Sequence, residues 1–148
     1  MTGYTLLKLA TFAAVFATLY VGHQVGDHWV QTHRQACGKS GPSRIGRALC
    51  AQHVLSLALT KVVALLALVA VTGLDIHPAY AVAGLTVDAV SHYWADRRTT
   101  LQALAERLGK ADFYKLGNGH LGSGAYALDQ SFHVLFLFIA ALIMTGGA

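Results

Sequence analysis

Four apolar stretches alternate along this chain with short polar segments, at about 4–30, 45–73, 78–94 and 125–144, and this alternation leaves few folds open. Each stretch approaches the roughly 20 residues that a helix needs to cross a bilayer. Backbone N–H and C=O groups find no partner in hydrocarbon, so each stretch must satisfy its own as a helix. With 55% of residues hydrophobic and 12% charged, the composition departs from that of soluble domains. Four spans with their loops use up the 148 residues, so 1–148 is expected to be a single integral-membrane domain. The predicted fold class is all-α, a four-helix transmembrane bundle with one amphipathic interfacial helix. That helix covers about 99–110, where Leu101, Leu104 and Leu108 form an apolar stripe beside Glu106, Arg107 and Lys110. Thr99 and Gln102 are read as its capping box.

The formal net charge of +4 invites a nucleic-acid reading, but the placement of the charge argues against one. Arg34, Lys39, Arg44 and Arg47 lie in one loop, and Arg97, Arg98, Arg107, Lys110 and Lys115 in another. By the positive-inside rule both loops are cytoplasmic, and the two termini with the turn at Asp75 face outward. The apolar run from Leu9 to Val21 is read as the first span rather than a signal peptide, because it continues into His23 and Asp27. Cys37 and Cys50, bracketing a cytoplasmic loop, are expected to be reduced thiols without a metal. The expected location is a bacterial inner membrane, with the bilayer as the first partner and room for an oligomer.

Set against this apolar background are His23, Asp27, His53, Asp88, His92, Asp129 and His133. Each ionisable group in a span costs roughly 2.5–3.5 kcal/mol on insertion scales, so seven of them ask for a common purpose. His23, Asp27 and Gln31 recur every fourth residue and share a face, as do Asp88, His92 and Asp96. With both basic loops cytoplasmic, all of these groups fall in the inner half of the membrane. At about 1.5 Å per residue, Asp27, His92 and Asp129 lie roughly 6 Å deep and His23, Asp88 and His133 roughly 12 Å deep, with His53 near the shallower tier.

Three readings compete for the set: interhelical hydrogen bonds, a hydrated proton or ion path, and a bound metal. Imidazoles and carboxylates together suit one or two divalent ions, zinc first and iron or manganese after it, and helix bundles build such sites from inward-facing residues. The seven residues are therefore the candidate ligands, and Gln31 and Gln130 are candidates to hydrogen-bond them. Lys61, about one turn beyond the deeper tier, would either pair with Asp88 or touch an anionic substrate. Arg97, Arg98 and the glycines 117, 119, 122 and 124 before the last span favour a phosphate group. His28, His33 and His120 are read as surface histidines. Metal-assisted hydrolysis of a phospholipid or lipid-linked phosphate follows, with a metal-bound hydroxide as nucleophile and Asp96 as the best candidate acid. A conduit, or a structural membrane partner in a larger assembly, are the non-enzymatic alternatives.

The block Gly22-His23-Gln24-Val25-Gly26-Asp27-His28-Trp29-Val30-Gln31-Thr32, then Lys39, His53, Asp88-x-x-x-His92 and Leu128-Asp129-Gln130-Ser131-Phe132-His133, resembles a family of small bacterial and phage membrane proteins of unknown function. The resemblance covers most of the chain and implies a membrane fold without an activity. Proteins of this kind also occur on mobile elements, which adds a role in DNA transfer or phage biology. The pattern is more loosely similar to inner-membrane metal-dependent hydrolases, whose usual His-Arg and Thr-His-Ser blocks are absent here.

Overall fold

The computed structural model describes residues 2–117 and 122–147, and all regular structure among them is helical. Helix α1 (Gly3–Val25) runs without a break into a wider π-helical turn, Gly26–Val30. Helices α3 (Arg44–Thr72), α4 (Pro78–Asp96) and α7 (Gly124–Thr145) complete the long elements. Three shorter ones lie between them, α2 (His33–Gly38), α5 (Thr99–Arg107) and α6 (Ala111–Lys115).

Local chemistry sets the ends. Ser43 caps α3 by accepting from the Gly46 N–H, and Gly73 closes it at φ +68°, a left-handed conformation that only glycine adopts cheaply. Pro78 opens α4, where its missing N–H costs nothing. Thr32 and Gln35 form a reciprocal capping box that starts α2 inside what reads as a loop in the sequence. The expected box at Thr99 and Gln102 does not form. Arg98 precedes α5 without a side-chain cap, and the Gln102 amide donates to Glu106 instead.

The four long helices pack in a ring in which α1 touches α3 and α7, and α4 touches the same two. Contacts between the late part of one helix and the early part of the next, such as Asp27 with His53 and His53 with His92, make neighbours antiparallel. Three of the long helices, α1 with its π-helical extension, α3 and α7, are long and apolar enough to cross a membrane. Sequence reading expects four. Helix α4 stands apart because Asp88, His92 and Asp96 dilute its 19 residues. The outer face of α3 presents Leu55, Leu59, Val63, Leu66 and Val71, all more than half exposed, an apolar surface that suits lipid rather than water.

One end of the ring is an apolar core of Val15, Leu19, Leu65, Leu137, Ala140, Ala141 and Met144, and the other end is polar. Gly84 lets α4 lie close to α7 in the apolar end, since a Cβ there would come within 2.8 Å of the Ala140 carbonyl oxygen and 2.9 Å of Met144. Gly84→Leu is therefore expected to cost about 1–3 kcal/mol through overpacking. Thermal denaturation in detergent measures this, and an unchanged midpoint would refute the close approach.

Candidate metal centre

At the polar end, side chains from three helices converge. Asp27 sits in the π-helical turn, a feature that often marks functional positions. His53 lies early on α3, and His92 and Asp96 lie one turn apart at the end of α4. Asp27 Oδ1 is 3.0 Å from His53 Nε2 and 3.7 Å from His92 Nε2. Asp96 Oδ2 is 3.3 and 3.2 Å from the same two nitrogens, which are 3.1 Å from each other. Ligands set tetrahedrally at roughly 2.0–2.2 Å from an ion have mutual separations of roughly 3.3–3.6 Å, close to these five distances. The ligand atoms of Asp27, His53 and His92 form one group within 4.8 Å of one another, and those of His92, Asp96 and His133 another.

Both histidines are fully buried and Asp96 nearly so. Asp27 Oδ1 and Asp96 Oδ2 nevertheless have no hydrogen-bond partner, and neither do the Nδ1 atoms of the two histidines. An orphaned buried polar atom costs about 1–3 kcal/mol. A proton on one of the two facing Nε2 atoms serves only some of the contacts at the centre, whereas a cation there would face both carboxylate oxygens and both Nε2 atoms, leaving the two Nδ1 atoms without a partner.

Lys39, the residue that ends α2, completes the cluster with its ammonium 2.7 Å from Asp96 Oδ1 and 3.8 Å from Asp27 Oδ1. Sequence reading counts Lys39 only as a topological charge. Its place in the family-resemblance block was the available signal. Arg97, expected at the substrate, instead donates to the carbonyls of Lys39 and Gly41, pinning the loop that presents Lys39. Asp96 is not a free acid either, for it stands among the candidate ligands with Lys39 on its other oxygen.

Asp88 leaves the ligand set. Its carboxylate accepts a 2.6 Å hydrogen bond from Lys61 Nζ, deeper in the bundle, and Lys61 is wholly buried and cannot reach a substrate. The remaining candidates form a second cluster. His133 Nε2 lies 3.4 Å from Asp129 Oδ1, and His23 Nε2 lies 3.4 Å from Gln130 Oε1 and 3.9 Å from Asp27 Oδ2. Gln130 joins the two clusters by donating to Asp27 Oδ2 and Asp129 Oδ2 at 3.3 Å. Cys37 and Cys50 are both free thiols and belong to neither cluster.

A family model described as "Protein of unknown function (DUF3307)" matches residues 15–147, a range that contains every residue of both clusters. The chain belongs to this family. No curated protein and no solved structure matches it.

In this DUF3307 protein the centre opens into a cavity of about 580 Å³ at the polar end of the bundle. Asp27, Asp96 and Asp129 line it together with Lys39, Arg98 and Lys115, so cations face a carboxylate-rich region. Arg98 adopts φ +56° with ψ −49°, a positive-φ conformation outside the left-handed helical region and unfavourable for a residue with a side chain. Gln31 also lines the cavity, and its buried Nε2 has no partner. His28, expected as a plain surface residue, lines the wall and lies 3.1 Å from the Tyr126 hydroxyl. Tyr114 also lines the wall, and burial pushes its phenol up. His33 is exposed beside Cys37, while His120 and Gly119 fall outside the described residues. The N-terminus of α7 is not an open anion cradle: the Gly124 N–H donates to Leu116 and the Tyr126 N–H to Ser123.

Proposed function

We propose that this protein is a membrane-embedded, metal-dependent hydrolase that acts on a phosphorylated or lipid-linked substrate at the cytoplasmic face of a bacterial inner membrane. The observation that carries the reading is the pair of imidazole nitrogens His53 Nε2 and His92 Nε2, 3.1 Å apart, each with Asp27 Oδ1 and Asp96 Oδ2 at 3.0–3.7 Å. The donor set suits zinc first, with iron or manganese also compatible.

In this reading α4 is the fourth span. At about 1.5 Å per residue its 19 residues nearly cover the roughly 30 Å of hydrocarbon. Its acids turn inward while Tyr80, Val82, Val90 and Trp94 face outward. The basic residues around α2 and α5 then place the polar end in the cytoplasm and both termini outside.

A divalent ion supplies a water of near-neutral pKa. Held by Asp27, His53, His92 and Asp96, such an ion would supply hydrolysis at phosphorus, in which water adds as the alcohol departs. The Lys39 ammonium is placed to give the departing oxygen a proton, which solvent replaces. Lys115 and Arg98 at the rim favour a phosphate group. A conduit is disfavoured by the apolar core of Val15, Leu19, Leu137 and Met144, which a proton or ion would have to cross. A structural partner in a larger assembly would not need two unpartnered carboxylate oxygens, Asp27 Oδ1 and Asp96 Oδ2, converging on two imidazoles.

Elemental analysis of protein purified without chelator, followed by phosphate release from a soluble phosphomonoester and from a lipid phosphate in mixed micelles, tests the proposal. At least about one ion per chain and ion-dependent release are expected, and fewer than about one ion in ten chains would sink it.

A further inference from the structure

Asp27 and Asp96, half of the tetrad they form with His53 and His92, make up only a small part of the cavity wall. The rest of the wall carries its own chemistry. Lys39 is held by the two carboxylates of the centre, whereas among the described residues Arg98 and Lys115 form no ion pair. Two free cations on one cavity suit a phosphate group. At about 580 Å³ the cavity falls in the range of sites that take whole small molecules, roughly 300–1,000 Å³, and has room for more than the phosphate.

The π-helical turn and the start of α7 add neutral hydrogen-bonding groups. His28 Nδ1 is 3.0 Å from the Gln24 carbonyl oxygen, and its Nε2 is 3.1 Å from the Tyr126 hydroxyl. A carbonyl only accepts, so in the neutral ring Nδ1 is the donor and Nε2 accepts the Tyr126 proton. The phenol oxygen is thereby left as an acceptor. Three residues after His28, Gln31 lines the same cavity, and its buried Nε2 is a donor without a partner. A hydroxyl group both donates and accepts, so it suits this combination, while a fully ionised phosphate has no proton to offer Tyr126.

We propose that the cavity takes a polyol phosphate, a glycerol or sugar unit joined to a phosphate, with Arg98 and Lys115 on the phosphate and Gln31 and Tyr126 on a hydroxyl. This substrate class rests on the hydrolase reading and narrows it, from lipid phosphates in general to those whose phosphate carries a hydroxylated headgroup.

Protein as purified, kept cold to limit turnover, is offered equal amounts of phosphatidylglycerol and phosphatidate with the same acyl chains, and native mass spectrometry counts the bound lipids. Phosphatidate has the greater negative charge, up to about −2, so charge alone would rank it first. Phosphatidylglycerol is expected to lead by about tenfold in the wild type, as two hydrogen bonds allow, and by less than about threefold in Gln31→Leu and in Tyr126→Phe. The lead is a ratio within one sample, so partial unfolding leaves it intact. Equal binding, or a lead for phosphatidate, in the wild type would overturn the polyol site. A tenfold lead kept in both variants would remove Gln31 and Tyr126 from it. Displacement of the lipid by equimolar glycerol phosphate would uphold the site with a ligand from solution instead of the bilayer. A lead for phosphatidylglycerol without its ion-dependent hydrolysis would uphold the site and overturn the hydrolase reading.

Discussion

On the proposed metal-dependent hydrolysis, His92→Ala is expected to empty the centre and lower phosphoester hydrolysis by at least about 10³-fold, because the reaction would then lose the ion that makes water nucleophilic near neutral pH. In barrier terms this is at least about 4 kcal/mol. His92 Nε2 lies within 3.7 Å of both carboxylates and of His53, and its ring also stacks on His133. Metal content of the purified variant is the primary measurement and hydrolysis the second. Retention of the full wild-type metal content would remove the tetrad from consideration. A metal-free variant that still hydrolyses at the wild-type rate would separate the ion from the chemistry. Binding to the folded state alone also stabilises, by about 2.7 kcal/mol at a free concentration one hundred times Kd, so chelation should lower the melting temperature of wild type but not of the variant.

Asp88→Asn is expected to destabilise the protein by roughly 3–5 kcal/mol, because it strands the Lys61 charge in the bundle interior. The ammonium is wholly buried and lies 2.6 Å from Asp88 Oδ2. Its stem passes where Gly22 leaves space, since a Cβ on Gly22 would meet Lys61 Cγ at 3.0 Å. Against a typical total of about 5–15 kcal/mol, the loss is enough to deplete folded protein. Replacing both partners, Lys61→Met with Asp88→Val, should recover most of the stability, because no charge is then left alone. The double variant should also keep its full metal content. Losing the metal while staying folded would return Asp88 to the ligand set, and a stable single variant would show that the pair is not buried as described.

These two predictions divide a set of residues that looks uniform in the sequence. Asp88, His92 and Asp96 share one face of α4, and periodicity gives no reason to treat the two acids differently. The difference comes from α3. His53 and Lys61 are eight residues apart on α3, as Asp96 and Asp88 are on α4, and each cross-helix pair is equidistant from the turn at Leu74 and Asp75. An antiparallel hairpin folded symmetrically about that turn brings His53 to Asp96 and Lys61 to Asp88. The spacing was visible in the sequence, but the register and rotation that make it count were not. Lys39 and Arg97 were further from view, because their roles depend on how α2 folds back over the bundle end.

Hydropathy alone determined that the chain is helical and suited to a membrane, because apolar helices are the economical way to hide backbone polarity in hydrocarbon. Spacing and loop charge put the histidines and carboxylates at one end of the bundle, since each depends only on position along a single helix or on a neighbouring loop. Tertiary structure decided which of them meet. It admitted Asp96 and Lys39 to the centre, paired Asp88 with Lys61, and set His23, Asp129 and His133 beside the tetrad. Depth along a helix is a local property of the chain. The few ångströms between ligand atoms depend instead on how four helices rotate and settle against one another, which packing fixes only when all of them are in place.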